Sequence, residues 1–310
     1  DFMTNWEIKY NTENQINYDD IPFIKRFMIY QKTRFPLISY GILILVVTIS
    51  SYLYICKIYD MKFEILKSIV IYINLFFIFL GLRICDEFKD YEDDKKYRPY
   101  RPVIVGIVKL KELRLLAIIG VIIQLLLLVV SMNAIITLLV VFVYMILMLY
   151  EFFISEYLKK HIVIYLLCHI VIMPLIILLI GSITLDKNMF NASLFLNKNM
   201  LFLMALAYFN GIVLEIGRKI RNEKEEENGV DTYSKIFGKK KALIYLSIIL
   251  SFQQVLALLF LKLSPYALLM LFVICIYQFF NFVTKNKSGK IIEKYSIIWM
   301  FAIYLTILFG

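Results

Sequence analysis

Long apolar runs make up most of the chain, and polar residues are gathered between them. Nine runs of roughly 20 mostly apolar residues follow residue 35, and this is the length that an α-helix needs to cross the hydrocarbon core of a bilayer. We therefore predict an all-α membrane protein with nine transmembrane helices. The predicted spans are residues 36–56, 65–85, 113–132, 134–153, 162–181, 200–217, 242–263, 265–284 and 291–310.

The residues before the first span have a different pattern. Residues 1–20 are mostly polar, and residues 21–35 mix apolar side chains such as Phe23 and Phe27 with basic ones such as Lys25. A basic amphipathic segment of this kind is suited to lying on an anionic leaflet. We divide the chain into an N-terminal polar segment, 1–35, and one membrane domain, 36–310.

Positive charge is distributed unevenly between the two sides of the predicted bundle. The N-terminal segment and the loops after spans 2, 4, 6 and 8 hold 27 lysines and arginines, whereas the opposite loops hold six. Basic residues mark the cytoplasmic side of a membrane protein, so the N-terminus and these loops are predicted to be cytoplasmic. The net charge of +10 thus indicates a lipid bilayer as the partner rather than nucleic acid. The predicted location is a plasma membrane if the source is prokaryotic.

Acidic side chains are concentrated directly after the second span. Six of the nine residues from Asp86 to Asp94 are acidic, and Asp86, Asp90 and Asp94 have the i, i+4, i+8 spacing of one helix face. Mg²⁺ prefers oxygen ligands and commonly joins one or two carboxylates to the phosphates of a substrate. Arg98 and Arg101, which follow, supply cations able to neutralise a departing diphosphate. The pattern favours a diphosphate site held by Mg²⁺.

These residues carry a resemblance to a known family. The acidic positions, an Arg-Pro pair and a glycine resemble the first signature of the UbiA superfamily of intramembrane prenyltransferases, with Asp86 replacing the usual Asn and Glu87 the usual Asp. The matching segment reads Asp86-Glu-x-x-Asp90-x-x-x-Asp94, then Arg98-Pro-x-Arg101-Pro-x-x-x-Gly106. The resemblance implies a nine-helix bundle around a central cavity, capped by the cytoplasmic loops 2–3 and 6–7.

The second signature of that family is only partly present. Gly229-x-x-Thr232 fits it, and Glu215 fits its first acidic position, but Lys219 stands where the pattern has its next acid. Counting forward from Glu215 puts Glu223 at the third acidic position of the motif. Counting back from Gly229 selects Glu225 instead. The sequence leaves open whether this half binds a second Mg²⁺ or whether Arg218, Lys219 and Arg221 contact phosphate directly.

The resemblance assigns roles residue by residue. It implies catalytic roles for Asp90, Asp94 and Glu215 and a polar position in the cavity for Asn210. The implied Mg²⁺ ligands are Asp86, Glu87, Asp90, Asp94, Glu215 and Glu223. The implied diphosphate-binding residues are Arg34, Arg98, Arg101, Lys159, Lys160, Arg218 and Lys219.

The resemblance also implies a reaction. An isoprenyl diphosphate ionises to an allylic carbocation, which a small aromatic or lipid-like acceptor attacks. Two related activities stay open: cyclisation of the prenyl diphosphate without an acceptor, and prenylation of a phosphorylated polar acceptor, which the cations at 218–221 favour. A transporter or lipid-binding protein is the alternative from another class. The predicted spans lack the paired ionisable residues or broken helices that line a translocation path.

Overall fold

Helices make up the fold, and the residues that the computed structural model describes, 18–260 and 266–309, contain no β-strand. Residues 1–17 of the predicted N-terminal segment and the junction of the seventh and eighth predicted spans lie outside these ranges. The α-helices are α1 (Phe23–Arg34), α2 (Leu37–Ile58), α3 (Ile65–Lys89), α4 (Tyr91–Tyr97), α5 (Leu110–Leu127), α6 (Ala134–Leu149), α7 (Ser155–Lys160), α8 (Ile162–Ile170), α9 (Ile172–Leu185), α10 (Ala192–Phe195), α11 (Lys198–Arg218), α12 (Tyr233–Phe237), α13 (Lys239–Phe260), α14 (Tyr266–Thr284) and α15 (Lys290–Phe309).

Seven helical segments in the described ranges have the length and apolar composition needed to cross a membrane. They confirm the prediction of an all-α, multi-pass membrane protein. The fourth and eighth predicted spans correspond to the shorter apolar helices Ala134–Leu149 and Leu268–Thr284, so the count of nine spans stays a prediction. The seven segments are Leu37–Ile58, Ile65–Lys89, Leu110–Ser131, Ile162–Leu185, Lys198–Arg218, Lys239–Phe260 and Lys290–Leu308.

The fifth span is divided into α8 and α9. Pro174 lies in the first turn of α9, where its missing amide hydrogen interrupts no continuing helix. Carbonyls near the end of α8 are bonded from neighbouring helices instead: the Tyr144 hydroxyl donates to Cys168 O at 2.6 Å and the Tyr208 hydroxyl to Leu167 O at 3.1 Å. These bonds hold the end of α8 against α6 and α11, the helices that carry Tyr144 and Tyr208.

The amphipathic helix α1 is bound to the bundle by two buried arginines. Arg26 makes a two-bond ion pair with Glu112, with distances of 2.8 and 2.6 Å, and Arg34 Nε lies 2.6 Å from Glu87 Oε1. Ile24 stays exposed, as expected of a helix facing lipid. The prediction of a basic helix on a leaflet needs this correction: two of its cations point into the protein, because each meets a carboxylate there.

Three loops meet at one end of the bundle. Arg98 Nε of the first long loop lies 3.9 Å from Glu227 Oε2 of the second. Gly229, with φ +73°, packs so closely on the Tyr97 ring that a Cβ would come within 2.5 Å of it. Asn222 Nδ2 donates to Asn286 O at 2.9 Å in the loop before α15. The loops after spans 2, 6 and 8 therefore share one side, which we call the charged end.

Candidate active site

The last turn of α3 presents two carboxylates at the charged end. α3 continues to Lys89 and Asp90 caps it, so Asp86 and Asp90 lie one turn apart on one side. Asp86 is 40% exposed and has only distant ion pairs, 3.8 Å to Arg83 and 3.6 Å to Lys89. Among the described residues Asp90 makes no ion pair within 4.0 Å. Burial, together with the neighbouring Asp86 carboxylate, raises the pKa of Asp90. Both groups are available to a cation.

Glu87 points away from these two carboxylates. One residue further along a helix is about 100° further round, and the Glu87 carboxylate is 2% exposed. It accepts from Arg34 at 2.6 Å and from Arg83 at 3.0 Å, and the Tyr30 hydroxyl donates to it at 3.4 Å. Glu87, a predicted Mg²⁺ ligand, thus joins α3 to α1. Its partner on α1 is Arg34, which was predicted to bind diphosphate.

Asp94 also has a partner other than a metal ion. Because α3 ends at Lys89 and α4 begins at Tyr91, Asp94 belongs to a different helix from Asp86. It is 1% exposed and is ion-paired with Arg98, at 3.3 Å, and with Arg101. Two cations on one buried carboxylate fix the Arg-Pro segment after α4, which folds as a series of turns. The predicted single face of three acids is therefore divided.

Glu215 lies in the last turn of α11, across the charged end from α3. Arg218 Nη2 lies 2.6 Å from Glu215 Oε2, and Lys219 Nζ lies 3.1 Å from Oε1. Each carboxylate oxygen thus has its own cation. The Glu215 side chain is 14% exposed, whereas that of Arg218 is 51% exposed. Three of the predicted site residues form one cluster with a net charge of +1.

Tyr165 of α8 connects the two helix ends. Lys89 Nζ donates to the Tyr165 hydroxyl at 2.8 Å, and Lys219 Nζ lies 5.6 Å from the centre of the same ring. On its other side the ring stacks on His169 with centroids 3.9 Å apart. Tyr165 and Lys89 were not predicted as site residues. The i, i+3 spacing from Asp86 to Lys89 could have indicated that Lys89 lies near the acidic residues. Nothing in the sequence distinguishes Tyr165 from the other tyrosines.

The acidic residues after Glu215 make contacts that hold the loops of the charged end together. Glu223 is 88% exposed and pairs with Lys239 at 3.1 Å. Glu225 accepts from the Ser288 hydroxyl and from the Gly289 amide at 2.8 Å. Burial raises the pKa of Glu225, but the hydrogen bonds outweigh it and the net shift is downward. Glu215 thus lies across the charged end from Asp86 and Asp90, whereas the partners of Glu223 and Glu225 are at the start of α13 and in the loop before α15.

Asn210 lies one and a half turns before Glu215 on α11 and is fully buried. Its Oδ1 accepts from Gln253 Nε2 at 2.8 Å, and the Trp299 indole donates to Gln253 Oε1 at 2.9 Å. This chain of bonds joins α11, α13 and α15. Asn210 is therefore part of a helix-to-helix contact.

Lys159 and Lys160 of α7 are exposed. Lys159 Nζ lies 3.9 Å from Asp93 Oδ2, which brings the loop after the fourth predicted span to the charged end. Among the described residues, neither lysine forms an ion pair with Asp86, Asp90 or Glu215. Their predicted role with diphosphate stays a prediction.

The acidic residues differ in how well they fit Mg²⁺. In the described part of the chain, no three Asp, Glu, His or Cys side chains come together as a metal site made by protein alone. Mg²⁺ bound with a phosphate substrate commonly uses one or two carboxylates, and Asp86 with Asp90 fits that pattern. Glu215 does not fit, because both of its oxygens already face a cation.

Comparisons with known proteins concern the family and the fold of the chain. The profile of the UbiA prenyltransferase family matches residues 35–304. A solved structure described as "Structural and mechanistic insights into the biosynthesis of Digeranylgeranylglyceryl phosphate synthase in membranes" is similar in fold, with a TM-score of 0.54 and 20% sequence identity over 92% of this chain and 98% of the other. A search of curated protein sequences finds no match.

Proposed function

The chain belongs to the UbiA prenyltransferase family, and from this premise we propose that it transfers an isoprenyl group from an isoprenyl diphosphate to a small acceptor within the membrane. The observation that carries the proposal is that carboxylates able to bind a cation face basic side chains across the charged end. Asp86 and Asp90 are available to a cation. Lys219 and Arg218 lie across from them at the end of α11, and Lys89, at the end of α3, reaches Tyr165 between the two helix ends.

Asp86 and Asp90 are proposed to hold Mg²⁺. When bound, this ion neutralises negative charge on the departing diphosphate. Carboxylates alone repel a diphosphate, so the ion and the basic side chains together make the site attractive to it. The two carboxylates come from the last turn and the cap of one rigid helix, which fixes their separation before the substrate binds.

The lysines and the arginine are proposed to stabilise the leaving group. As the bond between the allylic carbon and the diphosphate oxygen breaks, the electron pair stays with that oxygen, and N–H donors aimed at it lower the barrier. The apolar helices below the charged end exclude water from the carbocation. The acceptor then supplies the electron pair for the new bond and loses a proton, which the departing diphosphate takes up.

Glu87 and Asp94 are proposed to position this site. Each is a buried carboxylate held by two arginines. Together they fix α3 against α1 and the Arg-Pro segment against α4. The predicted catalytic role of Asp94 becomes a positioning role in this proposal.

A phosphorylated polar acceptor is the second candidate substrate. Two observations favour it: the cations Arg218 and Lys219, and the fold similarity to a digeranylgeranylglyceryl phosphate synthase. The charge excess at Glu215 suits an acceptor with its own phosphate. The site is proposed to face the cytoplasm, because the loops of the charged end carry most of the basic residues.

Release of diphosphate tests the proposal. Purified protein in nanodiscs is incubated with Mg²⁺, farnesyl or geranylgeranyl diphosphate, and a panel of aromatic, lipid-like and phosphorylated acceptors. We expect diphosphate release that requires both Mg²⁺ and an acceptor. Release without an acceptor, with a hydrocarbon or alcohol product, would indicate a cyclase. No release with any donor would refute the enzyme assignment and favour a lipid-binding or transport role.

A further inference from the structure

The end of α11 has a net positive charge without any bound metal ion. Glu215 contributes one negative charge and Arg218 and Lys219 contribute two positive ones, at 2.6 and 3.1 Å. The two cations bind different oxygens of the carboxylate. A divalent ion could bind Glu215 only by displacing one of them, and it would then lie beside like charge, which disfavours binding.

Both cations keep donors for an anion. An ammonium group has three N–H donors and a guanidinium group has five, and each uses few of them on Glu215. The Lys219 ammonium also lies over the ring of Tyr165, 5.6 Å from its centre, and the hydroxyl of the same tyrosine accepts a hydrogen bond from Lys89. Arg218 is half exposed, so it can move toward an anion without uncovering buried surface.

We propose that Lys219 and Arg218 take the place of a second divalent ion in this protein. The inference rests on the proposed function and makes it more specific. The diphosphate is bound from the α3 side through a single Mg²⁺ on Asp86 and Asp90, and from the α11 side by direct contacts with Lys219 and Arg218. Glu215 is then a positioning residue, which holds the two cations together and limits their repulsion.

The number of bound metal ions tests this inference. Mn²⁺, which replaces Mg²⁺ and has an electron paramagnetic resonance signal, is titrated into the full chain in nanodiscs with a saturating farnesyl thiolodiphosphate, an analogue that ionises slowly. We expect wild-type protein to saturate at one Mn²⁺ per chain. The variant Lys219→Asp places a second carboxylate one turn after Glu215 and is expected to bind two. Lys235→Asp, an exposed lysine of α12, is the matched control and should bind one.

A second variant does not depend on building a new site. Lys219→Met keeps the length of the side chain and removes its charge, and we expect it to weaken binding of inorganic pyrophosphate without divalent metal by about 10-fold or more, since a charge-assisted hydrogen bond is lost. Lys235→Met should leave this binding unchanged.

The outcomes separate the inference from the proposed function. Two Mn²⁺ per chain in the wild type, or unchanged metal-free pyrophosphate binding in Lys219→Met, would overturn the role given to Lys219. Absence of analogue and pyrophosphate binding to wild-type protein under all these conditions would instead refute the diphosphate site itself.

Discussion

The ends of α3 and α11 face each other across the charged end and carry opposite chemistry. At the end of α3, Asp86 and Asp90 have at most distant ion pairs. At the end of α11, Glu215 has a cation on each oxygen. A carboxylate without a close partner can bind Mg²⁺, whereas a carboxylate with two cations presents positive charge. Similar acidic motifs in the sequence thus produce one metal face and one cationic face.

The sharpest test of this difference removes a carboxylate from the α3 side. We expect Asp90→Asn to reduce diphosphate release by at least about 100-fold, since an electrostatic contact that strengthens in the transition state is lost. Expression and thermal stability should be retained, because the side chain has no close ion pair to lose. Steady-state release of diphosphate under saturating Mg²⁺ measures the effect.

Glu223→Gln is the control for that experiment. Its carboxylate is 88% exposed and pairs with Lys239 on the loop side, so we expect activity within about twofold of wild type. Full activity in Asp90→Asn, or loss of activity in Glu223→Gln, would contradict the division between metal face and loop acids.

We expect Asp94→Asn to lower the stability of the fold, whereas Asp90→Asn lowers the rate of catalysis. Removing this buried carboxylate leaves Arg101 without its acidic partner and Arg98 with only the distant Glu227, and breaking a buried ion pair costs about 3–5 kcal/mol in folding. We expect a lower midpoint of thermal unfolding, measured by the fluorescence of a thiol dye or by intrinsic fluorescence. A variant as stable as wild type but inactive would show that Asp94 acts on the substrate directly.

Gly229→Ala probes the contact between the two long loops. The new Cβ would lie 2.5 Å from the Tyr97 ring at a φ of +73°, and we expect a cost of about 1–3 kcal/mol. If the two loops together close the site, the rate of diphosphate release should fall as well. Gly238→Ala is a control for a positive φ without a steric clash, since its φ is +81° and a Cβ there has no neighbour within 4 Å.

The smallest expected effect concerns pH. Hydrogen bonds lower the pKa of Glu225 below its ordinary value of 4.5, so its ionised form stabilises the folded state above pH 4.5, and this contribution is lost as the pH falls through the lower pKa of the folded protein. Glu225→Gln should lower the unfolding temperature slightly at pH 7. The difference from wild type should shrink below pH 4.5; a difference that is constant with pH would contradict the assignment.

Part of this architecture was predictable from the sequence because it depends on local pattern. Apolar runs identified the spans, and the positions of Lys and Arg grouped the loops that the structure brings to one end. Helical spacing put Asp86 beside Asp90. The spacing did not reveal that Asp94 belongs to a new helix and is paired with Arg98 and Arg101.

Other features depend on contacts between distant residues, which spacing does not encode. Arg34 binds Glu87 53 positions further along the chain, and Glu225 binds Gly289 64 positions further along. These contacts determine which carboxylates are available to a metal ion and which ones hold helices or loops together. The same is true of Tyr165, whose role follows only from two lysines that the fold brings to it.

The central claim is that the two faces differ in how they hold a diphosphate. The most direct measurement is a structure with Mn²⁺ and farnesyl thiolodiphosphate, in which anomalous scattering locates the metal. We predict one Mn²⁺ on Asp86 and Asp90, with diphosphate oxygens in contact with Lys219 and Arg218. A Mn²⁺ ion bound to Glu215, or a metal bound by Glu87 or Asp94, would contradict the account.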